Sequence, residues 1–346
     1  MWRKRLLLLL KPFNVYPTSR TNGISHVSNS KVLSFLDNRR KVHKDAIRFC
    51  ENILRRKSLD WEPLLRNNLV QPIRDVEMVI TIGGDGTLLQ ASHFMDDSIP
   101  VLGVNSDPTV AEEVEELSNE FDATRSTGYL CAATVGNFEQ VLDDILEGRK
   151  AFSELSRISI SVNRQLLPQY ALNDLLISHP CPATVSRFSF KTKGNGSPKV
   201  NCRSSGLRVS TAAGSTAAML SAGGFPMHIA SHDLQYLVRE PILHGATNSS
   251  LMHGLIKSGE SMHATWYSQE GSALGSVVSK SEGNKLCKLM GCKEQTAHKA
   301  RMPICNFLLK KLNNHYATKN QHSCPKNAYA LSNIATTKTG SYYRCS

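Results

Sequence analysis

The chain lacks several features that would place it quickly. No uninterrupted apolar stretch among its 346 residues approaches the roughly 20 that a membrane helix needs, so no membrane span is expected. It has no Cys-X-X-Cys pair, and its nine cysteines are odd in number and irregularly spaced. That excludes a disulfide framework or zinc ribbon and predicts reduced thiols in a cytosol-like compartment. Cys287, Cys292 and His298 accordingly read as scattered side chains, not zinc ligands. There is no GxxxxGK[ST] loop and no HRD or DFG set, which excludes P-loop and protein-kinase machinery. No internal repeat is present.

Acidic residues are scarce in one region only. From Ser272 to Ser346 there are 10 Lys and 2 Arg against 2 Glu, whereas the first 271 residues carry 29 basic and 27 acidic side chains. The formal charge of +12 therefore belongs to the tail, and the nearly neutral body argues against nucleic-acid binding. The opening Met1-Trp-Arg-Lys-Arg and Leu6 to Leu10 imitates a signal peptide. Its apolar run is too short, and Lys11 and Pro12 stand where a cleavage region should begin, so it reads as a first strand.

What is present is a sequence of alternating patterns. Leu6 to Leu10, Met78 to Ile82 and Ile99 to Val104 suit buried strands. Asp37 to Lys57 has helical spacing, with Val42, Ala46, Phe49, Cys50, Ile53 and Leu54 on one face, as does the segment holding Phe138, Val141, Leu142, Ile145 and Leu146. This predicts an α/β domain with a Rossmann-like parallel sheet over residues 1–128, whose ligands would bind beyond the carboxyl ends of the strands. From about residue 155 the period becomes two: Ile158, Ile160 and Val162 alternate with serines, Phe188 and Phe190 with Ser189 and Lys191, and "KGNGSPK" marks a turn. An antiparallel β domain is expected over 129–271, with helix 137–148 packing back on the first. After Gly271 periodicity is lost, so 272–346 is expected to be an atypical, poorly ordered basic tail.

Three turns carry candidate chemistry. In "MVITIGGDGTLLQAS" (residues 78–92), Gly83, Gly84 and Gly86 can take positive φ and admit a ligand to the backbone, while Leu88, Leu89 and Ala91 open a helix. A strand, glycine turn and helix N-terminus suit phosphate. Asp85 in that turn would repel phosphate alone, but it makes sense as a metal contact or as a base for an attacking hydroxyl. "GVNSDPT" follows the next strand and either shapes the same crevice or forms a plain Asx or proline turn. In Ser204 to Gly224, the residues Thr211, Gly214, Ser215 and Thr216 either bond ligand oxygens or cap a helix.

Taken together, "LLKPFNVYP", "GGDGTLLQASH", "LGVNSDPT", "ALNDLLISHPCPATVSRFSF", "CRSSGLRVSTAAGSTAAMLSAGG" and "LQYLVREPI" resemble the NAD kinases, within them the plant NADH kinase branch, over about residues 5–271. The glycine turn alone is shared with diacylglycerol, sphingosine and phosphofructo kinases; the ordered set is what is specific. The resemblance implies phosphoryl transfer from ATP, with Mg²⁺, to the 2′-hydroxyl of the adenosine ribose of NADH or NAD. It makes Asp85 the catalytic acid and the Mg²⁺ contact through phosphates. Gly84 and Gly86 would let the backbone face the phosphates, Gly83, Thr87 and Asn105 would belong to the same cofactor-binding set, and Asn173 and Asp174 would hold the dinucleotide's amide and ribose. Thr211, Gly214, Ser215, Thr216 and Ala217 would lie along it, and Arg187 and Ser205 would contact it. In such an enzyme Asp85 would occupy a cleft facing segments 173–174 and 211–217.

It also implies small-molecule substrates, a homodimer, and a cytoplasmic or alternatively peroxisomal location, although Arg344-Cys345-Ser346 is not an SKL-type signal. Ser205 stands where most of the family carries Asp, and Ala218 where it carries Tyr. Losing a carboxylate near the nicotinamide removes an attraction for the oxidised, cationic ring, which favours NADH. A lipid kinase with the same turn and a non-catalytic variant with an aberrant C-terminus are the alternatives.

Overall fold

The computed structural model describes residues 5–13, 30–179, 181, 183–193, 197–243, 249–268, 271–278 and 287–290. Chain order begins with β1 (Arg5–Leu10), α1 (Ser30–Arg56), β2 (Asp60–Leu65), β3 (Met78–Gly83), α2 (Asp85–Ser92), β4 (Val101–Asn105) and α3 (Ala111–Leu117). Then come β5 (Ala133–Thr134), α4 (Phe138–Leu146) and β6 (Phe152–Leu155). Strands β1 to β4 lie in the order 2-1-3-4 and are all parallel. The order reverses between β1 and β3, since β2 lies on one side of β1 and β3 on the other. That switch point is where open parallel sheets leave a crevice at their carboxyl edge.

The leucine run explains why β1 sits centrally. Leu6, Leu8 and Leu10 pack in a core with Ile47, Cys50 and Ile53 of α1 and Phe138, Val141 and Leu142 of α4. Leu7 and Leu9 face the opposite way, into a core with Leu88 and Ala91 of α2. A strand covered on both faces has no use for alternation, so its sequence is continuously apolar. Helix α1 starts seven residues before the predicted helix, and its buried stripe is offset: Phe49 is exposed, while Arg39, His43 and Ile47 are buried.

The second region holds β7 (Ser159–Val162), β8 (Gln165–Leu166), β9 (Asp174–Ile177), β10 (Ser186–Lys193), β11 (Val200–Ser204), β12 (Gly206–Ser210), α5 (Ala218–Ser221), β13 (Leu234–Arg239), β14 (His253–Ile256) and β15 (Ser261–Ser268). They form two antiparallel sheets. Phe188, Phe190, Val200 and Cys202 of one sheet meet Leu207, Val209, Leu234, Tyr236 and Val238 of the other, and Phe188 stacks on Trp266 at 4.7 Å. The alternation expected in 158–162 weakens towards the sheet edge, where Val162 is exposed and Ser159 is buried.

Strand structure reaches past Gly271, where sequence periodicity stops. The backbone of β16 (Gly271–Val278) pairs with β15 and β7, and that of β17 (Cys287–Met290) runs between β4 and β6. Gly194 to Gly196 of the predicted turn, Val15 to Pro17, His298, the basic tail beyond 290 and the last three residues lie outside the described residues. No helix among the described residues is long and apolar enough to cross a membrane.

Candidate active site

Strand β3 delivers the glycine turn to the switch point, and α2 begins at Asp85. None of its three glycines has a positive φ; Gly84 is extended, at φ −110° and ψ −168°. The need for glycine is space. A methyl on Gly83 would lie 2.3 Å from Thr87 Oγ1, and one on Gly84 2.4 Å from Ser126 Cβ. Gly86 is exposed, with nothing nearer to such a methyl than Arg66 Nη1 at 3.7 Å.

Asp85 is half-buried and clasped by the loop from Ser126 to Cys131. Its own N–H donates to Ser126 Oγ at 3.0 Å. Its carboxylate accepts the backbone N–H groups of Tyr129 at 3.0 Å and Leu130 at 2.9 Å, with the Thr127 hydroxyl at 3.5 Å and the Cys131 thiol at 3.7 Å. An acid in the first turn also suits the positive end of the helix dipole. Both oxygens are thus oriented before any substrate arrives. None of these partners comes from segments 173–174 or 211–217, which approach through the core instead: Leu172 and Ala213 pack in the same cluster as Leu88, Ala91 and Leu130.

The loop is anchored in turn. Asn105 is buried, gives its Nδ2 to Ser126 O at 3.2 Å and lies against Gly128, whose φ of +67° only glycine adopts easily. Asp107 and Glu113 share Arg39 and Arg125: Arg39 reaches them at 3.1 and 3.3 Å, and Arg125 at 3.2 and 2.6 Å. Burial pushes the Asp107 carboxyl upward, against the pull of both guanidiniums. Ser106 N donates to Gly83 O at 2.9 Å, joining the two turns. His43 spans the gap behind them, with Nε2 2.9 Å from Lys11 O and Nδ1 2.8 Å from Ser106 Oγ. A carbonyl only accepts, so Nε2 carries the proton and the Ser106 hydroxyl donates to Nδ1. Burial lowers this histidine from 6.5 to about 4.

The other predicted residues divide by accessibility. Thr211 and Ser215 are buried with their hydroxyls spent inside: Thr211 on Leu172 O, and Ser215 on Ala212 O at 2.7 Å while accepting Met227 N at 2.8 Å. Gly214 is pressed against the Asn173 carbonyl, where a methyl would come within 2.2 Å. Thr216 is half-buried and Ala217 exposed. Asp174 pairs with Arg208, and burial raises its carboxyl despite that partner. Asn173 Oδ1 is buried with no hydrogen-bond partner among the described residues. Arg187 is exposed on β10, and Ser205 bonds the Arg239 carbonyl through its N–H at 3.1 Å and its hydroxyl at 3.4 Å.

Residues 7–109 match the ATP-NAD kinase N-terminal domain family. The NADH kinase of Arabidopsis thaliana is 63% identical over 273 residues, covering 78% of this chain and 86% of its own length. The chain belongs to the NAD kinase family. A probable NADH kinase of Oryza sativa subsp. japonica is 56% identical over 282 residues, 78% of this chain and 87% of its own. Among solved structures, yeast NADH kinase complexed with NADH aligns with a TM-score of 0.57 at 11% identity, over 94% of this chain and 90% of that one. An NAD kinase from Archaeoglobus fulgidus in complex with ATP gives 0.53 at 17%, over 84% and 94%. At those identities the likeness establishes the fold.

Within this NAD kinase the clasp at 126–131 was not visible from the sequence, because it has neither periodicity nor a charged motif. Arg157 was missed too: it is buried and bonds the carbonyls of Ser92 at 3.2 Å and Met95 at 2.9 Å, setting a cation at the carboxyl end of α2.

Two outcomes follow for the NAD kinase as a folded chain. Gly84→Ala should destabilise by about 1–3 kcal/mol through overpacking against Ser126, whereas Gly86→Ala should stay within about 1 kcal/mol of the parent or gain stability, measured by urea unfolding. His43 is neutral when folded and takes up a proton more readily when unfolded. Stability should therefore be complete above about pH 6.5 and fall, by up to about 3 kcal/mol, as the pH drops towards 4. His43→Gln should flatten that slope; an unchanged slope would assign it to other groups.

Proposed function

We propose that this NAD kinase transfers the terminal phosphoryl group of ATP to the 2′-hydroxyl of the adenosine ribose of NADH or NAD, giving NADPH or NADP. The observation that carries the proposal is the half-buried Asp85 carboxylate, fixed by two backbone N–H groups at the head of α2 and at the sheet's switch point. Relatives at 56% and 63% identity named probable NADH kinase and NADH kinase support the reaction.

Asp85 accepts the hydroxyl proton as the ribose oxygen bonds to the terminal phosphorus and the bond to the bridging oxygen breaks, releasing ADP. Gly84 and Gly86 leave backbone N–H groups accessible to phosphate, with Gly83, Thr87 and Asn105 shaping the turn behind them. Asn173 Oδ1, a buried acceptor without a donor among the described residues, suits an amide or amino N–H of the dinucleotide. Thr216 and Ala217 lie along the dinucleotide, while Thr211, Gly214 and Ser215 hold that loop against Asn173. Asp174 acts through its pair with Arg208. Ser205 stands near the nicotinamide end, and Arg187 contacts the dinucleotide.

No group of three His, Cys, Asp or Glu among the described residues could hold a metal ion. Asp85 and the glycine turn fit a Mg²⁺ ion brought mainly by phosphate oxygens and water, which when bound neutralises triphosphate charge. A homodimer in the cytoplasm, or alternatively the peroxisome, belongs to the same proposal.

Incubation with ATP, Mg²⁺ and NADH should yield NADPH, and its absence would overturn the assignment. Asp85→Asn should lower kcat by about 10²–10⁴-fold while dinucleotide affinity stays within about threefold. Ser205→Asp should shift the kcat/KM ratio towards NAD by about fivefold, the size of one screened charge contact near the surface. An unmoved ratio would show that Ser205 does not set the preference.

A further inference from the structure

Helix α2 has two ends, and Asp85 occupies only one of them. Its eight residues put Ser92 at the other, about 12 Å away at the usual helical rise. A tilt at Ser92 swings the carboxylate, so what holds the far end bears on the site as much as the clasp at 126–131. Arg157 holds it. This residue lies between β6 and β7, is 5% exposed, and gives its Nη1 to the Ser92 carbonyl at 3.2 Å and the Met95 carbonyl at 2.9 Å. Carbonyls at the carboxyl end of a helix carry partial negative charge, which draws a cation there. The carbon of the same guanidinium stands 5.3 Å from the centre of the Tyr170 ring, within cation–π range.

Tyr170 belongs to the dinucleotide side, three residues before Asn173 and four before Asp174. Its neighbour Ala171 exchanges backbone hydrogen bonds with Ile158 at 2.7 and 3.1 Å, so consecutive residues 157 and 158 grip consecutive residues 170 and 171. The ring of His93, just past α2, also bonds the Tyr170 backbone. Leu172 then packs in the core that holds Leu88 and Ala91 of the helix.

We infer that Arg157 and Tyr170 are a positioning pair, which fixes the far end of α2 against segment 170–174 and so sets the distance between the Asp85 carboxylate and the dinucleotide. This rests on the kinase reading above, in which Asp85 is the base and Asn173 and Asp174 hold the dinucleotide. Apolar packing through Leu172 brings helix and segment together but lets them slide. Hydrogen bonds and a ring stacked against a guanidinium are directional, and they fix the register. Burying a guanidinium carries a desolvation cost, and its Nε and Nη2 have no hydrogen-bond partner among the described residues. An apolar side chain would fill that volume with less penalty. It could not hold two carbonyls of the catalytic helix and the ring of the dinucleotide segment at once. A reacting group misplaced by about 1 Å loses on the order of 10²-fold in rate, which gives such a tie its use.

Hydrogen exchange read by mass spectrometry, with steady-state kinetics alongside, tests the pair on the full chain. In folded Arg157→Met, peptides covering 85–93 and 170–174 should both exchange about fivefold faster or more than in the wild type, while those covering β1 stay unchanged. The same variant should lower kcat about tenfold or more and move KM for ATP and NADH by less than about threefold, because misplacement acts on the reacting geometry and not on ground-state binding. Tyr170→Phe keeps the ring and should stay within about twofold in kcat. Tyr170→Leu should approach the loss in Arg157→Met, and the double variant should lose no more than the larger single loss. Should Arg157→Met fail to fold, Arg157→Lys and Tyr170→Leu carry the same readings, with Arg157→Lys retaining part of the rate. Wild-type exchange in 170–174, additive losses in the double variant, or a raised KM with kcat unchanged would each overturn the pair. A wild-type chain that makes no NADPH would overturn the kinase reading instead, and exchange in 85–93 and 170–174 would then decide the tie alone.

Discussion

Asp85 is held by main-chain N–H groups, and most of the surrounding structure serves that arrangement. Backbone donors cannot rotate away as side chains do, so a carboxylate on Tyr129 N and Leu130 N keeps its direction as long as the loop keeps its shape. The loop keeps its shape because Ser126 and Gly128 lock against Asp85 N and Asn105, and because Arg125 next door is pinned by two acids and the Pro108 carbonyl. A buried pair of this kind gains little net stability, and losing one member leaves an uncompensated charge. The quartet is better understood as a geometric device that fixes the approach of 126–131 to the head of α2.

The same economy runs through the second half of the site. Thr211 and Ser215, which look from their residue type like ligand donors, are turned inward to build the loop, and Gly214 lets that loop touch the Asn173 carbonyl. What remains accessible is backbone and the residues next along, Thr216 and Ala217. Leu172 and Ala213 then bring this loop into the core that also holds Leu88 and Leu130, so hydrophobic packing sets the spacing between the two halves.

The central strands were readable because burial on both faces leaves a continuous apolar run, and Phe188 and Phe190 because a strand with one buried face must alternate. The glycine turn was readable as a site but for the wrong torsional reason: its glycines avoid side chains, not left-handed φ. Long-range polar partners left no local trace. His43 sits on a helix face that pattern assigns to apolar residues, and only the fold shows its two hydrogen bonds to Lys11 and Ser106. Lys11 and Arg66 are 55 positions apart in sequence, yet the parallel register of β1 and β2 sets them at neighbouring strand ends.

Strand β17 shows how much a short, unpromising segment can matter. Its backbone lies between β4, which carries Asn105 at its end, and β6, joining the parallel sheet to the strand that leads into the β-rich region. Without it β4 and β6 would each present an unpaired edge there, with backbone groups left to water or to another chain. β4 bears one wall of the crevice, since Ser106 N bonds Gly83 O just beyond its last residue. On the far side of β4, β17 meets Val101 at the start of the strand and β5 pairs with Val104 and Asn105 at its end, so the site end is held by β5 while β17 secures the opposite end of the same strand.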